Sequence, residues 1–356
     1  MTARAKINTQ ALRNNLQQVR NAAPERSIMA VIKADAYGHG LISVARALEQ
    51  ADGFAVACLA EAQQLRDAGI QKPLLLLQGV LNTAELTQAQ ELGLELVVHR
   101  SGQIDLLEQA ANTVPIKVWL KVDTGMHRLG VALREAQDCW QRLLACASVV
   151  TPPRLMTHLA NADNVDDQAT QRQINRFLDL PMATEAECSI ANSAGILAWP
   201  ASHTDWMRPG IMLYGVSPFP NGEAALSGLQ PVMTLTSQLI AVKTLLKGAT
   251  VGYGGAWECP EDMPVGIVSI GYGDGYPRHA ASGTPVLVNG QRVPLIGRVS
   301  MDMICVDLRT VPEAHVGDSV TLWGEGLAVE DVARYAGTIG YELLCQLTGR
   351  VVFEVV

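Results

Sequence analysis

From residue 28 to about residue 215 the chain repeats one unit: a short apolar run, then a stretch of helical spacing. The runs are "IMAVIK", "GFAVA", "PLLLLQ", "ELVV", "IKVWLKVD", "RLMTHLA", "ECSIAN" and "IMLYGV". Between them lie helix-like segments such as "LISVARALEQ", "AEAQQLRDAG" and "NTAELTQAQELG". The runs are apolar throughout rather than alternating, as expected for parallel strands covered on both faces. Eight such strands predict a closed (β/α)8, TIM-like barrel. A doubly wound nucleotide-binding sheet would have fewer units and a GxGxxG after its first strand; "GYGDG" at 271–275 lacks that spacing.

Past about residue 230 the texture changes. "PVMTLTSQLIAVKTL", "MPVGIVSIGYG" and "TPVLVNGQRVPLIGRVSMDMICVDLR" read as strands broken by glycine and proline, with a hairpin signal at Asn289-Gly290. The expected organisation is a barrel over 1–230 and a mainly β domain over 231–356, joined by an exposed linker, "SPFPNGEAALSG". A length of 356 residues fits two domains.

With 48% apolar and 17% charged residues the chain is globular rather than disordered, and a net charge of -8 argues against nucleic acid as a partner. No apolar run is long enough to span a membrane, and "MTARAKINTQALRNNLQQVR" has no apolar signal region, so a cytoplasmic location is expected. The seven cysteines are odd in number and scattered, which suits reduced, buried thiols. The seven histidines form no HExxH or other ligand spacing, so no metal centre is expected.

Lys33 is placed unusually. It follows Met29-Ala30-Val31-Ile32 and precedes the Gly-rich "ADAYGHG". At the C-terminal end of a barrel strand its amine would point into the mouth, where desolvation favours the neutral form that makes a Schiff base. A lysine snorkelling at a strand edge fits the same pattern.

"KADAYGHG" at 33–40 resembles the alanine racemases, pyridoxal-phosphate enzymes built from a β/α barrel and a β domain. "KVDTGMHRLG", "SIANSAG", "WMRPGIMLYG", "VGYGGAW", "GYGDGYPR" and "GRVSMDMICVDL" are similar to that family in its order and spacing, from "INTQALRNNL" to "IGYELLCQL". The resemblance implies that Lys33 holds pyridoxal 5'-phosphate covalently. It implies a phosphate site made by Tyr37, Asn192, Ser193, the backbone of Gly210 and Ile211, and Tyr341. Ser193 also reads as a plain helix cap.

The resemblance further places Arg208 against the pyridine nitrogen, where other pyridoxal enzymes have a carboxylate. A fixed cation there disfavours ring protonation and weakens the electron sink. His158 would link Arg208 to a catalytic tyrosine; a core histidine satisfied by backbone is the plain alternative. Two bases are needed to exchange a proton on both faces of a planar carbon: Lys33 on one, Tyr253 of "VGYGG" on the other. In the family that tyrosine comes from the partner subunit, as does the methionine matching Met301, so a homodimer with shared sites is implied.

Arg128 and Met301 are the implied substrate-carboxylate contacts. The resemblance also implies that Lys121 matches the lysine carbamylated in many members, and that Tyr272 lines the entrance. Where some members have Cys before Met-Asp, this chain has Ser300. The implied reaction interconverts L-alanine and D-alanine, for peptidoglycan or for alanine catabolism. Serine, which adds one hydroxyl, stays open as a second substrate. A barrel-type amino-acid decarboxylase, a cofactor-binding protein without catalysis and a cofactor-free Schiff-base aldolase are the rival readings.

Overall fold

The structure, a computed structural model, describes residues 3–110, 114–220 and 228–356. Residues 221–227, most of the linker stretch, therefore lie outside the described residues. Eight strands run in the order Trp206–Met207, Ser27–Val31, Gly53–Val56, Leu74–Leu76, Glu95–Val98, Lys117–Asp123, Arg154–Met156, Cys188–Ser189, each parallel to the next. The first and last approach through single bonds: Ser189 Oγ donates to Trp206 O at 2.7 Å, and Arg208 N to Ala191 O at 3.0 Å. The result is a nearly closed barrel. Its strands are buried on both sides, as their unbroken apolar runs require.

The eighth strand is not where the sequence placed it. "IMLYGV" forms a 3-10 turn over Ile211–Tyr214, and the strand is Trp206–Met207. A short apolar run reads equally as strand or buried turn. Pro209 and Gly210 interrupt it, and Ile211, Met212, Leu213 and Tyr214 are all buried. Gly215 then turns left-handed (φ 77°) so close to Gln230 O that any side chain would collide with it.

The second sheet is antiparallel except where Arg4–Ile7 and Val352–Val355 pair in parallel. Met263–Val268, Ile304–Asp307, Gln291–Ile296, Pro285–Val288 and Ser319–Trp323 follow one another, and the long strand Met233–Leu245 pairs with both ends, closing a ring of six. Asn289 and Gly290 both have positive φ (49° and 79°), the hairpin turn the sequence signals. The Arg4–Ile7 strand belongs to this sheet, between Met233–Leu245 and Val352–Val355. Helices Val329–Ala336 and Gly340–Cys345 then carry the chain back to the barrel mouth.

At the opposite end of the barrel, Arg154 lies between two indoles, 5.1 Å from the Trp119 ring and 5.0 Å from Trp206. Its guanidinium bonds the buried Glu95 at 2.9 Å and Glu187 at 2.5 Å, and Trp119 Nε1 donates to Glu95 at 2.7 Å. Among the described residues no helix is long and apolar enough to cross a membrane, and all seven cysteines are free thiols. Cys58 and Cys345 are exposed, against the expectation of burial, because both sit where a strand or helix ends.

Candidate active site

The C-terminal ends of the barrel strands open into a cavity of about 980 Å³. Lys33, Tyr37, Lys121, Arg128, His158, Asn192, Ser193, Arg208, Gly210, Ile211 and Tyr341 all line it. Separate strands and loops therefore deliver the sequence-derived residues to one place.

Among the described residues, the segment after Ser27–Val31 has the longest run of non-glycine residues with positive φ. Ala34, Asp35, Ala36 and Tyr37 are all left-handed, with φ from 50° to 55°. Each such non-glycine residue costs about 1–2 kcal/mol. The turn persists because several groups hold it. Asp35 O accepts from His39 N and Gly40 N, and Asp35 Oδ1 from Leu41 N at 2.7 Å. His39 Nδ1 faces Ala36 O (3.1 Å) and Tyr37 O (2.9 Å); two carbonyls require that this nitrogen carry the proton. Burial pushes the His39 pKa down to about 4, which keeps the ring neutral. Gly38 (φ 77°) is pressed so closely on Leu344 O that a side chain would clash.

Tyr37 is fixed by stacking. Its ring stacks 4.7 Å from that of Tyr214, which in turn lies tilted against His39 at 4.6 Å, and it stands 6.1 Å from Tyr341. Tyr214 donates to Val31 O at 3.1 Å, tying the stack to the strand that ends at Lys33. Sequence reading missed Tyr214 and His39; the apolar run hid the first, and "YGHG" was the only hint of the second. Burial raises the pKa of Tyr37, and that of Tyr341 to about 12, so both phenols keep their protons to donate.

Asn192, not Ser193, caps the following helix, accepting from Gly195 N at 2.9 Å. Ser193 Oγ instead accepts from Gly210 N (2.9 Å) and Met212 N (3.3 Å), which leaves its own O–H to donate into the cavity. Gly210 sits against Tyr37: a Cβ there would lie 2.5 Å from the phenol oxygen. Donors thus converge on one cradle, as an anion requires.

Arg208 is buried, and among the described residues it has no carboxylate partner. It donates to Ser189 Oγ, Thr157 O and Ile190 O, and it stands 3.5 Å from His158 Nδ1. Burial lowers its pKa to about 10, still far above neutrality, so it remains a cation. His158 is pushed well below its usual range, first by burial and then by Arg208, and stays neutral. Lys33 is lowered by burial and by Arg128, against an opposing pull from Glu61. Lys121 falls to about 8 through burial, then Arg208 and Arg128.

Tyr253, Met301 and Tyr272 do not reach this cavity within one chain. They lie on the β domain, 73%, 52% and 39% exposed. Tyr272 and Met301 are adjacent there, since Tyr272 N donates to Ser300 O and Gly273 N to Met301 O. Among the described residues, no cluster of His, Cys, Asp and Glu is arranged to hold a metal ion.

The family descriptions "Alanine racemase, N-terminal domain" and "Alanine racemase, C-terminal domain" match residues 7–218 and 232–355. The chain belongs to the alanine racemase family. It is 54% identical over 345 residues to an alanine racemase of Nitrosococcus oceani, covering 97% of both chains. It superposes on the biosynthetic alanine racemase of Pseudomonas aeruginosa with a TM-score of 0.95, at 45% identity, covering 100% of this chain and 99% of that one. It also matches the alanine racemase of Bartonella henselae with covalently bound pyridoxal phosphate (TM-score 0.91, 30% identity, full coverage of both).

Proposed function

We propose that the protein interconverts L-alanine and D-alanine with pyridoxal 5'-phosphate, and that Lys33 is its covalent anchor. The observation that carries this reading is the convergence of Lys33, an uncompensated Arg208 and the Tyr37–Ser193–Gly210 cradle in one cavity. The cradle fits a phosphate: Tyr37, Tyr341 and Ser193 have protons to give, and the absence of a Cβ at Gly210 keeps the backbone open. When bound, the cofactor supplies an electron sink that acidifies the substrate α-carbon.

The chain's own residues then set what can happen. Arg208, always charged, would stand against the ring nitrogen and disfavour its protonation, so the sink would be weak and proton exchange favoured over longer-lived chemistry. The Arg128 guanidinium offers a fork to the substrate carboxylate. Lys33 Nζ exchanges a proton with the α-carbon on one face, for D-alanine. Tyr253 Oη does so on the other, for L-alanine, reaching the cavity of a partner subunit together with Met301 and Tyr272. Two bases on two chains make the homodimer the catalytic unit.

The assay is racemisation from either enantiomer, followed by circular dichroism or stereospecific oxidases, with serine run beside alanine. Borohydride reduction and peptide mapping should place the cofactor on Lys33. Cofactor-loaded protein that turns over neither enantiomer would sink the reading.

We also infer that Lys121 carries a carbamate, an anion that braces Arg128. Carbamate forms from neutral amine, and that fraction grows as pH rises through about 8. Protein equilibrated with 13C-bicarbonate should therefore show the carbamate resonance building up more at pH 8 than at pH 7. Lys121→Ala should lack it. A wild-type protein without that resonance at either pH removes the assignment.

A further inference from the structure

We propose that Glu61 is a positioning residue for Lys33: its carboxylate ties down the Lys33–Ala34 peptide and thereby sets where the lysine amine stands. The proposal rests on the reading that Lys33 carries the cofactor.

Glu61 is the third residue of the helix Leu59–Asp67, whose N-cap Cys58 makes no side-chain bond. Its Oε2 accepts from Ala57 N at 2.8 Å, and its Oε1 accepts from Ala34 N at 2.7 Å. Ala57 follows the strand Gly53–Val56 and Ala34 follows Ser27–Val31, so one carboxylate joins two neighbouring strand ends. Both alanines line the cavity.

The following barrel helices use the same position, with different chemistry. In Thr83–Glu91 the third residue is Glu85, whose Oε2 accepts from Leu81 N at 2.8 Å and whose Oε1 accepts from Asn82 Nδ2. In Ser101–Gln109 it is Gln103, whose Oε1 accepts from His99 N at 2.9 Å while Nε2 donates to Val80 O at 3.1 Å. A side chain reaching back four residues is thus a repeated device. The residue type follows the second partner. Where that partner is a carbonyl, the chain has an amide; where it donates a proton, the chain has a carboxylate.

At position 61 both partners are N–H groups. A glutamine would offer one oxygen to two donors and turn its own NH2 towards the other, leaving a donor without an acceptor. The donor at stake is the first residue of the left-handed turn. Four residues in that conformation persist only while their surroundings over-determine them. Released at Ala34, the turn loses its entry constraint, and Lys33, one peptide bond away, loses its direction.

Charge acts in the same sense as position. The charged and titratable groups that bear on Lys33 are Arg128, Glu61 and Cys345, together with Lys121 and His158 across the cavity. Glu61 favours a proton on the lysine nitrogen, opposing burial and Arg128.

The test uses holoenzyme of wild type, Glu61→Gln, Glu61→Asp and Glu85→Gln. In each, the pH at which the cofactor's visible band is half lost and the rate of cofactor release are measured, with borohydride mapping as the reference. Glu61→Gln should lower that pH by about one unit, a tenfold loss of proton affinity, and speed cofactor release severalfold. Glu61→Asp keeps the charge but loses reach, so its band should titrate near wild type while release is faster. Glu85→Gln removes the same charge from the same helix position one unit on and should move neither.

A Glu61→Gln protein with wild-type titration and release would overturn the proposal, as would an equal shift in Glu85→Gln. If Glu61→Gln does not accumulate as holoenzyme, wild-type release from Glu61→Asp overturns it instead. Mapping of the wild-type cofactor to a residue other than Lys33 would bring down the underlying reading, and this inference with it.

Discussion

Mixing inactive Lys33→Ala protein with inactive Tyr253→Ala protein should restore racemase activity once the subunits have exchanged. Each variant alone lacks one proton-transfer group at every site, a loss of about 10²–10⁴-fold for a positioned general acid or base. In a mixed dimer, one site draws its intact Lys33 from the Tyr253→Ala chain and its intact Tyr253 from the Lys33→Ala chain. The other site has neither. A two-fold dimer has two equivalent sites, so each mixed dimer should reach up to about half the wild-type rate. The structural ground is the placement of Tyr253: it is 73% exposed and stands outside the cavity that holds Lys33. Exchange is followed by mass, using chains of different length. Exchanged mixtures no more active than their parents, or a monomeric protein with full activity, would refute the shared site.

The second large effect lies at the closed end of the barrel, away from the chemistry. Arg154→Ala should destabilise the protein by about 3 kcal/mol, the lower end of the range for breaking a buried ion pair. The lower end applies because Glu95 keeps Trp119 Nε1 at 2.7 Å and Lys117 Nζ at 3.8 Å after the arginine has gone. Two cation–π contacts, with Trp119 and Trp206, are lost as well. Glu95→Gln in the Arg154→Ala background should recover part of the loss, because the stranded charge is removed with it. Denaturation midpoints of the two single variants and the double variant give the coupling. Arg154 begins the strand whose far end leads to His158, so racemase activity well below the transition should be unchanged. A midpoint for Arg154→Ala within about 1 kcal/mol of wild type would show that the pair carries little; surface pairs typically measure about 0–1 kcal/mol.

Much of this architecture is legible in the residues, and the exceptions have physical causes. Strands such as Gly53–Val56 and Glu95–Val98 are read correctly because burial on both faces leaves an unbroken apolar run. Asn289-Gly290 announces its turn because both positions need positive φ. The eighth strand escapes because Trp206–Met207 is two residues long, beside a longer apolar run that packs as a turn. The left-handed segment escapes for a different reason. Ala34, Ala36 and Tyr37 have no intrinsic preference for positive φ; they are forced there by bonds from Glu61 and His39, one far away in sequence. Lys33, Arg208 and Ser193 could be nominated from the chain, but Ser193 as a receiver of two backbone donors was visible only in three dimensions.

The Arg4–Ile7 strand has a consequence for how the protein is made. It leaves the ribosome well before either of its partners, Met233–Leu245 and Val352–Val355, and Ile7 aligns with Val355. At about 5–20 residues per second, the early strand waits roughly 20–70 s for the late one. Through that interval the barrel strands emerge in order, while the early strand keeps an edge without its late partner. Until Val352–Val355 emerges, that edge stays open to a chaperone or a neighbouring chain.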